Sequence, residues 1–319
     1  MIALREDAVK TCFLGVEVYT FGLFVALGLA LALVSLALTL RRAQWKKGTD
    51  VLTGALAILA GFAVSRLFYG FMDDALGQRM PLWAMLRVNS GGYSMMGAIF
   101  GACMGAVLAA RLTRQSVSGI LDFLAPALML FIACERLGER YIEDFGVSRI
   151  LLSDVFSASF LATQDDFGWK LSTYLLESFT ALVLSAALLR DLAGKRKNGD
   201  TFLLFMLLFG GTQILLESLR YDQHMTVNAY VKYQQVIAMM LLGTAVILLA
   251  ARAWRSRRGL ALAAFLSIPA TVGIGVAIEF MIDRTDANRF LLYACFLAAV
   301  AVPVWLGLRL RKERNDGKS

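Results

Sequence analysis

Nine long apolar runs constrain the fold of this chain more than any other feature of its sequence. They cover residues 18–40, 51–72, 93–112, 119–136, 172–190, 201–219, 233–251, 259–281 and 289–309. A helix needs about 20 predominantly apolar residues to cross the hydrocarbon core of a bilayer. Hydrophobic residues make up 58% of the 319 residues, more than soluble domains usually contain. The sequence therefore predicts an all-α, polytopic transmembrane helical bundle of about nine spans.

The basic residues predict how these spans are oriented. More than half of the 32 lysines and arginines fall in alternate connections, at 41–50, 111–118, 190–200 and 252–258, and in the tail from 309. Cytoplasmic connections of membrane proteins are enriched in these residues. We therefore expect the N-terminus outside and the C-terminus inside. The net charge of +8 is explained by this topology, so nucleic acid is not an expected partner.

Histidine and cysteine content argues against a metal centre. The chain has one histidine, His224, and its four cysteines show no paired spacing, whereas zinc sites built from these residues need several ligands at close intervals. We expect neither a metal ion nor a cofactor. The longest connection on the outer side, residues 137–171, is expected to contain a short interfacial helix around 148–162.

A few charged residues lie within or at the ends of the apolar runs, where charge is costly and usually functional. They are Arg66, Asp122, Glu135, Arg136, Glu177, Glu217, Arg220 and Glu279. Most of them fall in the predicted outer half of the membrane, which indicates a polar cavity open to the outside. The planar guanidinium group of arginine suits phosphate, because it can donate two parallel hydrogen bonds. Structural ion pairs between helices are the alternative interpretation.

Five stretches of sequence carry a resemblance to a known family. They are GFAVSRLFYGFMDD, NSGGYSMMGAIFG, ILDFLAPALMLFIACERLGERYIEDFG, STYLLES and QILLESLRYD. In this order they resemble segments of prolipoprotein diacylglyceryl transferases, which have seven spans. The resemblance runs from about residue 18 to 252. It therefore implies a transferase-like membrane domain over 1–252, followed over 253–319 by two additional spans and a basic cytoplasmic tail.

The resemblance also implies an activity and a location. Members of the family transfer the diacylglyceryl group of phosphatidylglycerol to the cysteine thiol in the lipobox of a prolipoprotein signal peptide, and glycerol phosphate is the leaving group. The expected partners are this lipid, the prolipoprotein and the membrane bilayer. The expected location is the bacterial cytoplasmic (inner) membrane, with the protein crossing it several times and the site facing outward.

Residues that match the family's motifs are expected to form the site. Arg136 is the expected catalytic contact to the phosphate. The expected substrate-binding residues are Arg66, Gly91, Gly92, Ser94, Asp122, Gly138, Glu177, Glu217 and Arg220. Candidates for the base that accepts the thiol proton are Glu139, Glu143 and His224, because a thiol with a pKa near 8.5 needs activation to become a good nucleophile.

The sequence departs from the family at positions that bear on chemistry. Met96 stands where the family has the histidine of its glycine-rich loop, Glu139 where it has an asparagine, and Gln213 where it has an arginine. A thioether cannot accept a proton. One alternative is therefore a homologue that is non-catalytic or has altered specificity, and that binds lipid or lipoprotein. A small membrane transporter is a second alternative, although no internal repeat of the kind common in transporters is evident.

Overall fold

A computed structural model describes residues 10–13, 16–75, 92–142, 146–151, 159–165, 168–194, 197–221, 226–228, 231–285 and 287–316. Within these residues, nine long helices lie at the positions of the nine predicted spans. They are α1 (Thr20–Arg42), α2 (Thr49–Ala75), α3 (Met95–Thr113), α4 (Val117–Gly138), α5 (Thr173–Leu192), α6 (Asp200–Leu219), α7 (Tyr233–Ala253), α8 (Arg258–Arg284) and α9 (Arg289–Asp316).

All of these helices except α5 are long and apolar enough, by length and composition, to cross a membrane. The all-α polytopic bundle predicted from the sequence is confirmed. Helix α5 forms where the fifth span was predicted, but it carries Glu177 and Asp191 among its buried residues. That α5 crosses the membrane, and that the N-terminus lies outside, stay predictions.

Short strands connect several of the helices. They are β1 (Lys10–Phe13), β2 (Val16–Tyr19), β3 (Val147–Leu151), β4 (Ala162–Asp165), β5 (Gly168–Ser172), β6 (Thr226–Asn228) and β7 (Val231–Lys232). The pairs β1–β2, β4–β5 and β6–β7 are antiparallel hairpins. These strands satisfy backbone hydrogen bonds of connections that precede α1, α5 and α7.

The interfacial helix expected around residues 148–162 is wrong where the structure describes this segment. Residues 148–151 belong to strand β3, and β4 begins at Ala162, while residues 152–158 lie outside the described part. Strand β3 has the sequence Val-Ser-Arg-Ile-Leu. It contains two β-branched residues, Val147 and Ile150. Such residues favour extended backbone.

The chain divides into two compact units. The first contains residues 1–147 and 154–202, and the second contains residues 148–153 and 203–319. Helices α8 and α9 therefore share a unit with α7 and most of α6. These compact units are divided elsewhere than at residues 252 and 253. The domain boundary predicted there rests on the family resemblance and stays a prediction.

In the first unit, α2 and α3 pack closely along a row of glycines. Gly97, Gly101 and Gly105 recur every four residues and so share one face of α3. A Cβ atom at Gly101 would lie 2.7 Å from the Cα of Gly61, and one at Gly97 would lie 2.8 Å from the Cα of Ser65. Small residues at this spacing let membrane helices approach to backbone contact. The packing fixes α3 next to the part of α2 that carries Arg66.

Helices α4 and α5 form a second antiparallel pair in this unit. The Ser178 hydroxyl donates to the carbonyl of Ala133 (2.7 Å), and the Ser185 hydroxyl donates to the carbonyl of Pro126 (3.0 Å). The two contacts are seven residues apart on each helix, in opposite chain directions. The helices therefore keep one antiparallel register over two turns. This register places the end of α4 beside the start of α5.

Candidate active site

Arg136 lies in the last turn of α4, and its side chain is buried among carboxylates of the first unit. Its Nε atom is 2.7 Å from Oε2 of Glu177 on α5 and 3.6 Å from Oε2 of Glu135. Its Nη1 atom donates to Glu139, one turn later. Its Nη2 atom lies 2.9 Å from the sulfur of Met95 on α3. We call these five residues the Arg136 cluster.

The Arg136 cluster joins three helices through one guanidinium group. Its contacts bring together α3, α4, α5 and the 3₁₀ turn Glu139–Tyr141 that follows α4. Three carboxylates surround one arginine, so the described members carry more negative than positive formal charge. Each of the three guanidinium nitrogens has a partner in the cluster. These contacts fix the orientation of the guanidinium group, and contacts of good geometry are what compensates a buried ion pair for its loss of hydration.

Arg66 and residues 92–94, directly before α3, form another polar part of the same unit. Arg66 is buried on α2, and its Nη1 atom donates to the carbonyl of Gly92 (2.7 Å). Its guanidinium carbon is 5.6 Å from the ring centre of Tyr93, within the range of a cation–π contact. Gly92 has a φ of +74°, a backbone conformation that glycine adopts without strain.

Ser94 starts α3 and links it to α2. Its side chain accepts a hydrogen bond from the Gly97 amide (3.2 Å), as an N-cap does. Its carbonyl accepts from the hydroxyl of Ser65 (2.7 Å). Met96, at the family's histidine position, is fully buried. Ser94 thus holds the start of α3 against α2, and the buried thioether at Met96 offers no proton acceptor.

Asp122 lies at the other end of α4 from Arg136. Fourteen residues of helix separate them, or about 21 Å at 1.5 Å per residue. The Asp122 carboxylate accepts hydrogen bonds from the amides of Gly199 (2.6 Å) and Phe202 (2.7 Å), at the start of α6. Negative charge is favourable at a helix N-terminus. Asp122 therefore caps α6, and the structure does not bring it together with the Arg136 cluster.

In the second unit, the end of α6 is surrounded by polar side chains. The Nζ atom of Lys232 donates to the carbonyls of Glu217 (3.0 Å) and Arg220 (2.8 Å), and it lies 3.8 Å from the Glu217 carboxylate. Gln213, at a family arginine position, donates to the same carboxylate (3.4 Å). The Nε atom of Arg149 donates to the carbonyl of Arg220 (3.1 Å). We call these five residues the Arg220 cluster.

The family model described as prolipoprotein diacylglyceryl transferase matches residues 9–251. The chain belongs to this family. The match includes α1–α6 and nearly all of α7, and it stops before α8. Both the Arg136 cluster and the Arg220 cluster lie inside it.

Individual relatives are 25–28% identical to this chain over the aligned residues. It is similar to the phosphatidylglycerol–prolipoprotein diacylglyceryl transferase of Bacillus licheniformis, with 25% identity over 76% of this chain and 91% of the relative. The protein of the same name from Paenarthrobacter aurescens is 26% identical over 67% of this chain and 73% of its own length. That of Thermotoga maritima is 28% identical over 58% and 64%.

The residues predicted from the family's motifs fall into several places. Arg136, Glu139 and Glu177 meet in the Arg136 cluster, while Arg66, Gly92 and Ser94 surround the start of α3. Gly138 packs α4 against α1, since a Cβ atom there would lie 3.0 Å from Phe24. Glu217 and Arg220 belong to the Arg220 cluster. Gly91, Glu143 and His224 lie outside the described residues.

Sequence reasoning did not identify Lys232 and Arg149 as site residues. A signal for Lys232 was present, because a lysine at the predicted outer end of α7 departs from the charge pattern that fixes the topology. Arg149 lies in a connection whose predicted helix is wrong, so its pairing with α6 and α8 could not be deduced from the sequence.

Proposed function

We propose that this protein transfers the diacylglyceryl group of phosphatidylglycerol to the lipobox cysteine of prolipoproteins. The family match over residues 9–251 supports this activity, and the relatives named for it are bacterial. The observation that carries the proposal is the buried guanidinium group of Arg136, oriented by carboxylates at the end of an apolar helix. The cytoplasmic membrane, with the site on its outer face, is the location that the charge pattern favours.

In the proposed reaction, the cysteine sulfur forms a bond to the terminal glyceryl carbon of the lipid. The bond between that carbon and the phosphate oxygen breaks, and glycerol phosphate leaves with the electron pair. The thiol proton passes to a base. Arg136 stabilises the negative charge that develops on the leaving phosphate, because a preorganised donor in a site shielded from bulk water stabilises charge more than water does.

For the phosphate to contact the Arg136 guanidinium group, it must replace one of the present partners, and Glu135 is the partner that we assign to this exchange. Its Oε2 atom is 3.6 Å from Arg136 and its side chain is 16% exposed, whereas the Glu177 oxygen is at 2.7 Å and that side chain is 2% exposed. Glu177 thus anchors the guanidinium group. The more distant and more exposed carboxylate is the one that an incoming phosphate replaces.

Glu139 is the base that we assign to the thiol proton. It is buried one turn after Arg136, and its carboxylate can accept a proton, as Met96 cannot. A carboxylate within reach of a reacting thiol contributes as a general base when it is correctly placed. The charge that the cluster gains at Glu139, relative to the family's asparagine, thus replaces the function lost at Met96.

The test uses bacterial cells depleted of their own transferase and carrying a reporter lipoprotein. Expression of this protein should add a diacylglyceryl group to the reporter cysteine, measured as a mass increase of the intact reporter. Arg136→Gln, expressed at the same level, should leave the cysteine unmodified. A free thiol in cells with well-expressed wild-type protein would overturn the proposal.

The substitution at Met96 favours a second function, that of a family member which binds lipid without transferring it. Such a protein would retain phosphatidylglycerol in nanodiscs and leave the reporter thiol free. Purified protein incubated with phosphatidylglycerol and a lipobox peptide separates the two functions, because only the enzyme releases glycerol phosphate.

A further inference from the structure

Glu279 is a buried carboxylate on α8, a helix that lies outside the family match. Its residue is 2% exposed, and its Oε1 atom accepts a hydrogen bond from Nε2 of Gln235 on α7 at 2.5 Å. Its Oε2 atom accepts from Nη1 of Arg149 at 3.4 Å. A carboxylate inside a membrane helix is costly. Both of its oxygens contact residues within the family-matched part of the chain.

Arg149 connects Glu279 to the backbone of Arg220. While Nη1 of Arg149 pairs with Glu279, its Nε atom donates to the carbonyl of Arg220. Lys232 donates to the same carbonyl. The last carbonyls of a helix have no partner within the helix, and positive charge there is favourable. Arg149 and Lys232 together fix the backbone at the point where the chain leaves α6.

Two side chains of α9 also donate hydrogen bonds to backbone carbonyls in this region. The Nη1 atom of Arg289 donates to the carbonyl of Arg149 (2.9 Å), and the hydroxyl of Tyr293 donates to the carbonyl of Ser218 (3.0 Å). The two additional helices therefore contact both β3 and the last turn of α6 through hydrogen bonds.

The packing of α8 and α9 against α6 and α7 does not need Glu279. Apolar contacts already hold them, since a Cβ atom at Gly211 of α6 would lie 2.7 Å from Val304 of α9 and one at Gly243 of α7 would lie 3.6 Å from Ile268 of α8. Replacing buried ionic groups by apolar ones often leaves stability unchanged or raises it. The buried carboxylate of Glu279 is therefore better explained as a group that orients its partners than as one that holds the helices together.

We infer that α8 and α9 orient Arg220 for the transfer reaction, and that Glu279 is a positioning residue that acts through Arg149. The inference rests on the proposed function and on the expectation, from the family's motifs, that Arg220 binds the lipid substrate. Glu279 itself touches no substrate. Its carboxylate fixes the Arg149 guanidinium group, which fixes the carbonyl of Arg220 and with it the origin of the Arg220 side chain.

The experiment compares full-length variants in nanodiscs that contain phosphatidylglycerol. Glu279→Gln keeps the shape of the side chain and removes its charge. It should lower kcat/KM for the lipid between about 10- and 100-fold, as small misplacements of a substrate contact do. The thermal unfolding midpoint should stay near that of the wild type, because the Arg149 side chain is 16% exposed and water can compensate its charge. Thr271→Val is the matched control on α8, since it removes a hydrogen bond to the carbonyl of Ala299 (3.0 Å) away from Arg149.

A purely structural role predicts a different result. Glu279→Gln would then lower the unfolding midpoint, and its activity would fall only in proportion to the folded protein, as in the Thr271→Val control. Glu279→Asp, which retains the charge, should recover part of kcat/KM if orientation is the role. The double variant Glu279→Gln/Arg149→Gln should be no worse than Arg149→Gln alone, because both act through one guanidinium group. Additive losses would overturn the inference.

Lipid retention separates this inference from the proposed function, because it needs no turnover. Native mass spectrometry measures how much phosphatidylglycerol stays bound to each variant. If the wild type retains lipid without transferring it and Glu279→Gln loses the lipid, the transfer activity fails and the positioning role stands. If Glu279→Gln retains lipid and transfers it as the wild type does, the positioning role fails alone. A wild type that neither transfers nor retains the lipid overturns both.

Discussion

The Nε atom of Arg136 lies 2.7 Å from the Glu177 carboxylate and joins the end of α4 to the start of α5. The two helices are held in register by the hydroxyls of Ser178 and Ser185. The ion pair is therefore formed between elements that are already aligned. That arrangement leaves the guanidinium group little freedom, which is what a catalytic contact to phosphate requires.

Arg136→Gln should abolish lipidation of the reporter and destabilise the protein. Loss of one partner of a buried pair leaves uncompensated charge and costs about 3–5 kcal/mol. The double variant Arg136→Gln/Glu177→Gln should recover part of the stability and none of the activity. Thermal unfolding in detergent and the mass of the reporter measure the two effects. A double variant less stable than Arg136→Gln would contradict the pairing.

Glu135→Gln and Glu177→Gln should have different effects on lipid binding. If phosphate replaces Glu135, removing that charge should leave retention of phosphatidylglycerol unchanged or tighten it. Removing the charge of Glu177 should weaken retention, because the guanidinium group loses its anchor. Native mass spectrometry gives the comparison. Weaker retention in Glu135→Gln than in Glu177→Gln would show that the two carboxylates have been assigned the wrong roles.

Glu139→Gln should reduce turnover about 10²–10⁴-fold, the usual contribution of a general base. The lipid should still bind, since the amide can remain beside Arg136. Met96→Leu is the control, because it conserves volume in the core and usually costs less than about 1.5 kcal/mol. Release of glycerol phosphate measures turnover. Wild-type turnover in Glu139→Gln would exclude this residue as the proton acceptor.

Gly101→Ala should destabilise the protein through the contact between α2 and α3. The added methyl group would meet the backbone of Ala60 and Gly61, and overpacking of this kind costs about 1–3 kcal/mol. Gly22→Ala on α1 is the matched control, because nothing lies within 4 Å of the position of its Cβ atom. The unfolding midpoint in detergent should fall for Gly101→Ala alone. Equal midpoints would argue against close packing at the glycine row.

The positions of the nine helices could be predicted because hydropathy is a local property of the chain. Each run of apolar residues is long enough to form a helix whatever lies beside it. Strand β3 could not be predicted in this way, since five residues of a short connection carry no long-range pattern. Its backbone pairing depends on a partner distant in sequence, as the bridge between Ser148 and Arg220 illustrates.

The sequence by itself determined the helical membrane fold, and its motifs indicated the family and the importance of Arg136 and Arg220. Only the tertiary structure decided which charges meet. It joined Arg136 to Glu177, used Asp122 to cap α6, and connected Glu279 of α8 to Arg149 and the carbonyl of Arg220. The physical reason is distance: hydrophobic periodicity acts over neighbouring residues, whereas ion pairing depends on a few ångströms between side chains that the fold brings together.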